Sequence, residues 1–265
     1  MDLALDLAAS PEAAEQFEPD VERAPARVPD GLVCYAVGDI HGRLDLFERM
    51  IDRIEADHEQ HCRDSIIVLL GDYVDRGPSS RGVLQAIIDL QTRWQDRLIV
   101  LLGNHEEAML HFLTDPAFGP RWLQHGGRDT LMSYQVAIPA GKLDDEAWDA
   151  LRIAFSEAMP PAHHNLLENL QYFATIGDYV FVHAGVRPGV LLEDQSAEDM
   201  LWIRDAFLTA DWAIDQTVVH GHTPSPEPVL AKGRIGIDTG AYATGVLTAV
   251  KLIEDRVDLF KVTRR

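Results

Sequence analysis

Short runs of strand-forming hydrophobic residues alternate with polar loops and amphipathic segments over most of the chain. The runs LVCYAV, SIIVLL and LIVLL each end in a polar loop. Each loop leads into a segment with helical spacing of apolar residues, such as Leu44, Phe47, Ile51 and Ile54. This alternation predicts parallel strands joined by right-handed helical crossovers, and therefore an α/β fold.

The strand pattern lapses between about residue 113 and residue 170. This segment contains WLQHGGRDTLMSY and DDEAWDALRIAFSEAM. It predicts a helical cap or insertion near the functional site of the domain. Strand-like runs return from Gln171 onward, and the last two, GVLTAVKLI and RVDLFKVT, predict a hairpin that turns at Glu254 and Asp255. We predict one catalytic domain over residues 31–265.

The first 30 residues combine Ala, Glu, Asp and Pro with few large hydrophobic residues, and predict an acidic, flexible leader. They lack the basic segment of a signal peptide, and the chain has no apolar run of about 18 residues that could cross a membrane. Cys34 and Cys62 are the two cysteines and provide no disulfide framework. We therefore expect a cytoplasmic protein.

The chain has 265 residues, with 23 Lys and Arg against 43 Asp and Glu, and a formal charge of -20. This excess of acids argues against nucleic acids and anionic membranes as partners. A negatively charged ligand would need local positive charge, which bound cations and a few arginines can supply.

Five polar motifs follow or border the hydrophobic runs: GDIHG (38–42), GDYVDRG (71–77), GNHE (103–106), HAG (183–185) and GH (221–222). The first three follow predicted parallel strands, so their side chains should meet at one edge of a sheet. Carboxylate, imidazole and amide groups suit small divalent cations, and the cysteines lie outside the motifs. The motifs predict a site for a pair of such cations.

The order of these motifs resembles the calcineurin-like metallophosphoesterases and, within them, the bacterial phosphoprotein phosphatase branch. The resemblance spans about residue 31 to the C-terminus and implies a two-sheet sandwich flanked by helices. It implies two divalent metal ions, with Mn expected and Fe, Zn, Co, Mg or Ni as alternatives. It places the first ion on Asp39, His41 and a bridging Asp72, and the second on Asp72, Asn104, His183 and His222.

The resemblance also implies how the site works. A hydroxide that bridges the metals would attack phosphorus, and His105, oriented by Asp75, would protonate the leaving group. Arg76 and Arg204 would bind phosphoryl oxygens, and Asn104 would also contact the substrate. The HGGRDT segment resembles one that is common in bacterial members, and we expect it to shape the substrate entrance.

The expected substrates are phosphoserine and phosphothreonine in proteins, with phosphotyrosine or small phosphoesters also open. The alternative is a symmetrical dinucleoside tetraphosphate hydrolase, whose members carry a different residue where this chain has Asp75. IDTGAYATG lacks the SAPNYC-type segment of eukaryotic protein phosphatases, so the choice stays open. A non-catalytic binding or scaffold protein is the alternative of another class, although degenerate members usually lose ligands.

Overall fold

The structure is a computed structural model that describes residues 25–210 and 214–264. Its strands are β1 (Leu32–Val37), β2 (Asp64–Leu69), β3 (Leu98–Val100), β4 (Phe173–Ile176), β5 (Tyr179–Val182), β6 (Thr217–His220), β7 (Val229–Ala231), β8 (Arg234–Gly236), β9 (Val246–Ile253) and β10 (Arg256–Thr263). Its α-helices are α1 (Leu44–His58), α2 (Ser80–Trp94), α3 (Asn104–Thr114), α4 (Gly119–Trp122), α5 (Arg128–Ser133), α6 (Asp145–Ala158), α7 (Pro161–Glu168), α8 (Ala197–Trp202), α9 (Asp205–Leu208) and α10 (Ala241–Thr244). A π-helical turn, Leu123–Gly127, joins α4 to α5.

Two five-stranded sheets form the core, in the orders β10-β9-β1-β2-β3 and β4-β5-β6-β8-β7. In the first sheet, β1, β2 and β3 are parallel, while β9 and β10 are antiparallel additions at one edge. In the second sheet, β5, β6 and β8 are parallel, and β4 and β7 are antiparallel edge strands. The predicted α/β fold with two sheets and flanking helices is confirmed.

Alternate side chains of β1 belong to two separate hydrophobic cores. Cys34 and Ala36 lie in the core between the sheets, together with Phe181 of the second sheet. Val33 and Tyr35 lie in the core between the first sheet and its helices. Because side chains of a strand alternate between its faces, a strand covered on both sides must be hydrophobic throughout. This explains the unbroken run LVCYAV.

Helices fill the segment between β3 and β4, where the strand pattern lapses. They surround an aromatic cluster in which the ring of Trp122 lies 5.0 Å from that of Phe112 and 5.4 Å from that of Phe155, between centroids. All three side chains are buried. The predicted helical insertion thus contributes part of the core beside α2.

Residues 1–24 of the predicted leader lie outside the described residues. Residues 25–30 pack against the domain, since Val28 is buried and its backbone N–H donates to the carbonyl of Glu254 at 3.0 Å. Packing therefore begins before the predicted boundary at Gly31. No helix in residues 25–210 and 214–264 has both the length and the apolar character needed to cross a membrane.

Candidate metal centre

The loops at the carboxyl ends of the parallel strands bring the candidate metal ligands together. The first sheet contributes the loops that follow β1, β2 and β3, and the second sheet contributes the loops that follow β5 and β6. Both sheets meet here, because the ring of His183 contacts the carbonyl of Leu70, with Nδ1 to oxygen at 2.9 Å. All the candidate ligands are buried: Asp39, His41, Asp72, Asn104, His183 and His222.

Several of these residues adopt a left-handed backbone that non-glycine residues rarely take. The φ angles are 45° at His41, 53° at Asp72 and 61° at His222. Gly103 packs so closely on the Asp72 loop that a Cβ atom there would lie 2.3 Å from the backbone nitrogen of Asp72. Strain of this kind is maintained where the surrounding structure enforces it, and it turns the side chains toward a common centre.

Asp72 stands at the centre of the ligand cluster. Its Oδ2 atom lies 3.4 Å from Nε2 of His41, and its Oδ1 atom lies 3.4 Å from Nε2 of His183. Two groups of potential ligand atoms share this carboxylate, and the atoms of each lie within 4.8 Å of one another. One group adds His41 and His105, and the other adds His183 and His222. A carboxylate between two such groups can bridge two cations.

Asn104 completes the second group. Its side-chain oxygen lies 2.8 Å from Nε2 of His183 and 2.8 Å from Nδ1 of His222. Nδ1 is therefore the ring nitrogen of His222 that faces the group. The mixture of carboxylate, imidazole and amide groups suits divalent metal ions.

Burial also keeps the imidazoles in the form that binds metals. It lowers the pKa of His41 to about 3 and the pKa of His222 to about 2. Neutral imidazole is the form that coordinates a cation. Burial raises the pKa of Asp72, but the neighbouring histidines, first His183, lower it below its usual value overall, so this carboxylate stays ionised. The residues therefore fit a divalent metal pair.

Asp39 lies to one side of the cluster, beside a second buried acid. Its carboxylate accepts a hydrogen bond from the backbone N–H of His222 at 3.1 Å. Burial, followed by the charges of Asp238 and Asp72, raises the pKa of Asp39. A divalent cation would supply the positive charge that these buried acids lack. The five motifs do not identify Asp238, which follows strand β8 at the same edge in GRIGIDTG.

Geometry groups His105 with His41 and Asp72, whereas the resemblance implies Asp39 as the ligand at this position. His105 also has a different partner, because its Nδ1 atom lies 2.8 Å from Oδ2 of Asp75. A carboxylate can only accept, so Nδ1 carries a proton in either charge state of the ring, and Nε2 faces the cluster. The choice between His105 and Asp39 as ligand stays a prediction.

The pKa of His105 is set by opposing effects. Burial lowers it, but the charge of Asp72 and the hydrogen bond to Asp75 raise it, and the net shift is above the usual value. Both His105 and Asp75 are buried. A histidine paired with a buried carboxylate keeps a proton available near neutral pH, as a general acid requires.

Glu106 is a positioning residue that the motif interpretation did not single out. Its Oε1 atom accepts from the backbone N–H groups of Tyr73 at 2.7 Å and Val74 at 3.0 Å. Its Oε2 atom accepts from those of Asp72 at 2.8 Å and Gly103 at 3.1 Å. Glu106 thereby ties the two motif loops together. An acid in the first turn of a helix was the available signal.

The two predicted phosphate-binding arginines differ in their surroundings. Nη1 of Arg76 lies 3.0 Å from Nε2 of His41, and its guanidinium lies 4.8 Å from the ring centroid of Tyr242. Arg204 is exposed and makes a long 3.5 Å contact with the hydroxyl of Thr223. Arg76 therefore lies directly at the ligand cluster, while Arg204 lies at the surface near that cluster.

Comparison with known proteins agrees with this geometry. The chain matches the calcineurin-like phosphoesterase family over residues 33–259, which contain all the candidate ligands. It belongs to this family. The phosphoesterase is thus a member of a metal-dependent hydrolase family, and the resemblance that the motifs indicated is confirmed.

Similar proteins include two kinds of tetraphosphatase. The phosphoesterase is 28% identical over 240 residues to the asymmetrical bis(5'-nucleosyl)-tetraphosphatase PrpE of Anoxybacillus flavithermus, covering 82% of this chain and 89% of that protein. It is 36% identical over 166 residues to the symmetrical bis(5'-nucleosyl)-tetraphosphatase of an Acidovorax species, covering 63% of this chain and 48% of that protein.

Solved structures share the fold of this phosphoesterase. A candidate diadenosine tetraphosphatase superposes with a TM-score of 0.61 at 18% identity, covering 91% of this chain and 100% of that one. A protein serine/threonine phosphatase of Saccharomyces cerevisiae superposes with a TM-score of 0.56 at 12% identity, covering 91% of this chain and 84% of that one. At these identities the likeness is one of fold.

Proposed function

We propose that this protein is a binuclear metal-dependent phosphomonoester hydrolase in which His105 protonates the leaving group. The observation that carries the proposal is the buried pair of His105 and Asp75 beside two groups of ligand atoms that share Asp72. When bound, two divalent ions, with Mn expected, would supply water activation and neutralise phosphoryl charge. The ligands would be Asp39, His41, Asp72, Asn104, His183 and His222.

The chain's own residues would bind the phosphoryl group and manage the proton. The guanidinium of Arg76 lies at the edge of the cluster, where its fork matches two phosphoryl oxygens. Arg204 would add charge from the surface, and Asn104 would contact the substrate as well as a cation. Asp75 would keep the Nδ1 proton of His105 in place, leaving Nε2 to face the leaving oxygen.

Phosphoserine and phosphothreonine in proteins are the substrates that this proton donor suits best. Their leaving group is an aliphatic alkoxide, which departs poorly unless it is protonated. A buried histidine with a carboxylate partner supplies that proton, typically accelerating the reaction by about 100-fold or more. A nucleotide leaving group is a weaker base and depends less on such an acid.

Dinucleoside tetraphosphates are the second candidate substrates. The similarity to PrpE of A. flavithermus, named as an asymmetrical bis(5'-nucleosyl)-tetraphosphatase, covers 82% of this chain and favours them. Exposed Tyr242 and half-buried Trp202 near the cluster offer rings on which a base could stack.

One experiment separates these functions. Chelator-stripped protein is reconstituted with Mn, and release of phosphate from a phosphothreonine peptide is compared with cleavage of diadenosine tetraphosphate at matched concentrations. Faster turnover of the peptide supports the protein phosphatase, and the reverse supports nucleotide hydrolysis at the same metals. No turnover of either substrate with any divalent metal would favour the binding or scaffold protein.

A further inference from the structure

A segment of the helical insertion surrounds the carboxylate of Asp75. Oδ2 of Asp75 accepts from Nδ1 of His105 at 2.8 Å and from the indole Nε1 of Trp122 at 2.9 Å. Oδ1 of Asp75 accepts from the hydroxyl of Thr130 at 2.6 Å. Residues 122–130 therefore hold both oxygens of the carboxylate that orients His105.

The direction of the Thr130 hydrogen bonds follows from the groups around it. The backbone N–H of Asp75 donates to Oγ1 of Thr130 at 2.9 Å, and Oγ of Ser80 lies 3.0 Å away from the same atom. A backbone N–H can only donate and an ionised carboxylate can only accept. The single proton of the Thr130 hydroxyl is therefore directed at Asp75, and Thr130 binds both its backbone and its side chain.

The indole of Trp122 is fixed in place by packing. The side chain is fully buried and stacks on Phe112, with the ring of Phe155 on the same cluster. A Cβ atom at Gly127 would lie 2.4 Å from the indole, so glycine is needed for the close approach. Dense packing leaves the indole N–H one direction, toward Asp75.

We propose that Trp122 and Thr130 are positioning residues for the general acid, holding Asp75 so that it fixes the tautomer and orientation of His105. Neither residue contacts the reacting atoms, so each acts through Asp75. The inference rests on the proposed function, because it concerns the proton that His105 delivers. It also assigns a positioning role to the WLQHGGRDT segment of the insertion.

His105 would protonate the leaving oxygen during hydrolysis of the phosphoester. The bond between phosphorus and the leaving oxygen breaks, and its electron pair stays on that oxygen. The oxygen takes the Nε2 proton of the His105 imidazolium, which becomes a neutral ring that keeps its Nδ1 proton on Asp75. The proton lost by the attacking water restores His105 over the full turnover. If Asp75 shifts, Nδ1 of His105 loses its partner and the ring can rotate away from the leaving group.

The test compares leaving groups. Trp122→Phe removes the N–H donor but keeps a ring, and Thr130→Val removes the hydroxyl at similar shape. Rates of the Mn-loaded full chain are measured on p-nitrophenyl phosphate, which has a good leaving group, and on an alkyl phosphate and a phosphothreonine peptide. We expect kcat on the alkyl esters to fall about tenfold, a part of the full general-acid effect, with p-nitrophenyl phosphate changed about twofold or less.

Matched variants separate positioning from stability. Phe155→Leu loosens the same aromatic cluster without removing a donor to Asp75, and we expect it to change both substrate classes alike. Thr130→Ser keeps the hydroxyl and should restore the alkyl-ester rate. Equal losses on both substrate classes in Trp122→Phe and Thr130→Val would overturn the inference, as would selective loss in Phe155→Leu.

His105→Ala distinguishes this inference from the proposed function. If His105→Ala is selective for alkyl esters and Trp122→Phe is not, only the positioning role fails. If His105→Ala affects all leaving groups alike, the general-acid role itself fails.

A spectroscopic readout is independent of the substrate. In protein loaded with diamagnetic Zn in place of Mn, the downfield Nδ1 proton of His105, assigned by its loss in His105→Ala, should shift or exchange faster in Trp122→Phe and Thr130→Val. It should be unchanged in Phe155→Leu. An unchanged resonance in both donor-removing variants would contradict the proposal.

Discussion

The Nε2 atom of His105 lies 3.9 Å from Oδ2 of Asp72, within the range of the candidate metal ligands. Its Nδ1 atom is held by Asp75, as expected of a general acid that is not itself a ligand. We therefore predict that His105→Ala still binds two equivalents of Mn, measured by elemental analysis after reconstitution. Turnover of a phosphothreonine peptide should fall by about 100-fold or more.

Asp39→Asn is the matched variant for metal content. Asp39 is buried beside Asp238 and accepts from the backbone of His222, so its charge should matter for one cation. We expect Asp39→Asn to lose about one of the two metal equivalents. If His105→Ala loses metal and Asp39→Asn retains it, His105 is the metal ligand and Asp39 is not.

Removal of the metal should also lower the stability of the fold. Without cations, the buried carboxylates of Asp39 and Asp72 lack the positive charge that offsets their desolvation. Saturating Mn, at about 100 times its Kd, should raise Tm by about 5 °C or more over the chelated protein in a thermal melt. An exposed-site control, His111→Ala, should keep the full shift, while Asp72→Asn should lose most of it. Equal shifts in these two variants would place metal binding elsewhere.

Gly126 packs the helical insertion against the loop that carries Asp75 and Arg76. Its φ is +115°, and a Cβ atom there would lie 2.7 Å from the backbone nitrogen of Arg76 and 3.1 Å from Cβ of Asp75. We predict that Gly126→Ala is destabilising by about 2 kcal/mol or more and lowers kcat/KM by displacing Asp75 and Arg76.

Gly141→Ala is the control for backbone strain alone. Its φ is +91°, but no atom lies within 4 Å of a Cβ built there. It should be destabilising by about 1 kcal/mol in urea denaturation, with kcat/KM unchanged. If Gly126→Ala lowers stability and kcat/KM no more than Gly141→Ala does, the close contact of Gly126 with the Arg76 loop contributes to neither stability nor activity.

The sequence predicted the ligand loops because each follows a short hydrophobic run of the kind that forms a buried strand. Asp72 and Asn104 follow parallel strands of one sheet, and His183 and His222 follow those of the other. Chain topology therefore brings their loops to a common edge. Strand β7 was not predicted, because its three residues are partly exposed and show little hydrophobic pattern.

Other parts of the site depend on packing that no local pattern encodes. Trp122 and Asp75 are 47 residues apart, and only the folded insertion brings the indole to the carboxylate. Asp238 adjoins Asp39 because the ends of β1 and β8 meet across the two sheets, where a Cβ atom at Gly38 would lie 2.5 Å from the carbonyl oxygen of Ile237. The left-handed φ of 69° at Asp75 is likewise enforced by the surrounding loops, since an isolated Asp would rarely adopt it.

Arg76 and Arg204 should differ in how much they contribute to phosphate binding. The guanidinium of Arg76 lies over the ring of Tyr242, which holds its fork beside the cluster even when a metal ion takes the His41 nitrogen that Arg76 contacts here. Within residues 25–210 and 214–264, the side chain of Arg204 makes one long hydrogen bond, to Thr223, and it is exposed. Lysine keeps the charge but loses the planar fork that binds two oxygens at once. Arg76→Lys should therefore raise KM and weaken inhibition by inorganic phosphate by about tenfold, the equivalent of one charged hydrogen bond.

Arg204→Lys should change the same constants by about twofold or less, since an exposed charge gains little from fixed geometry. Steady-state KM and the inhibition constant of phosphate, measured with Mn-loaded protein on one substrate, decide between them. A larger effect at Arg204 would mean that it moves onto the phosphoryl group when substrate binds. The primary phosphate contact would then lie on the second sheet's side of the site, and Arg76 would serve mainly to pack on Tyr242.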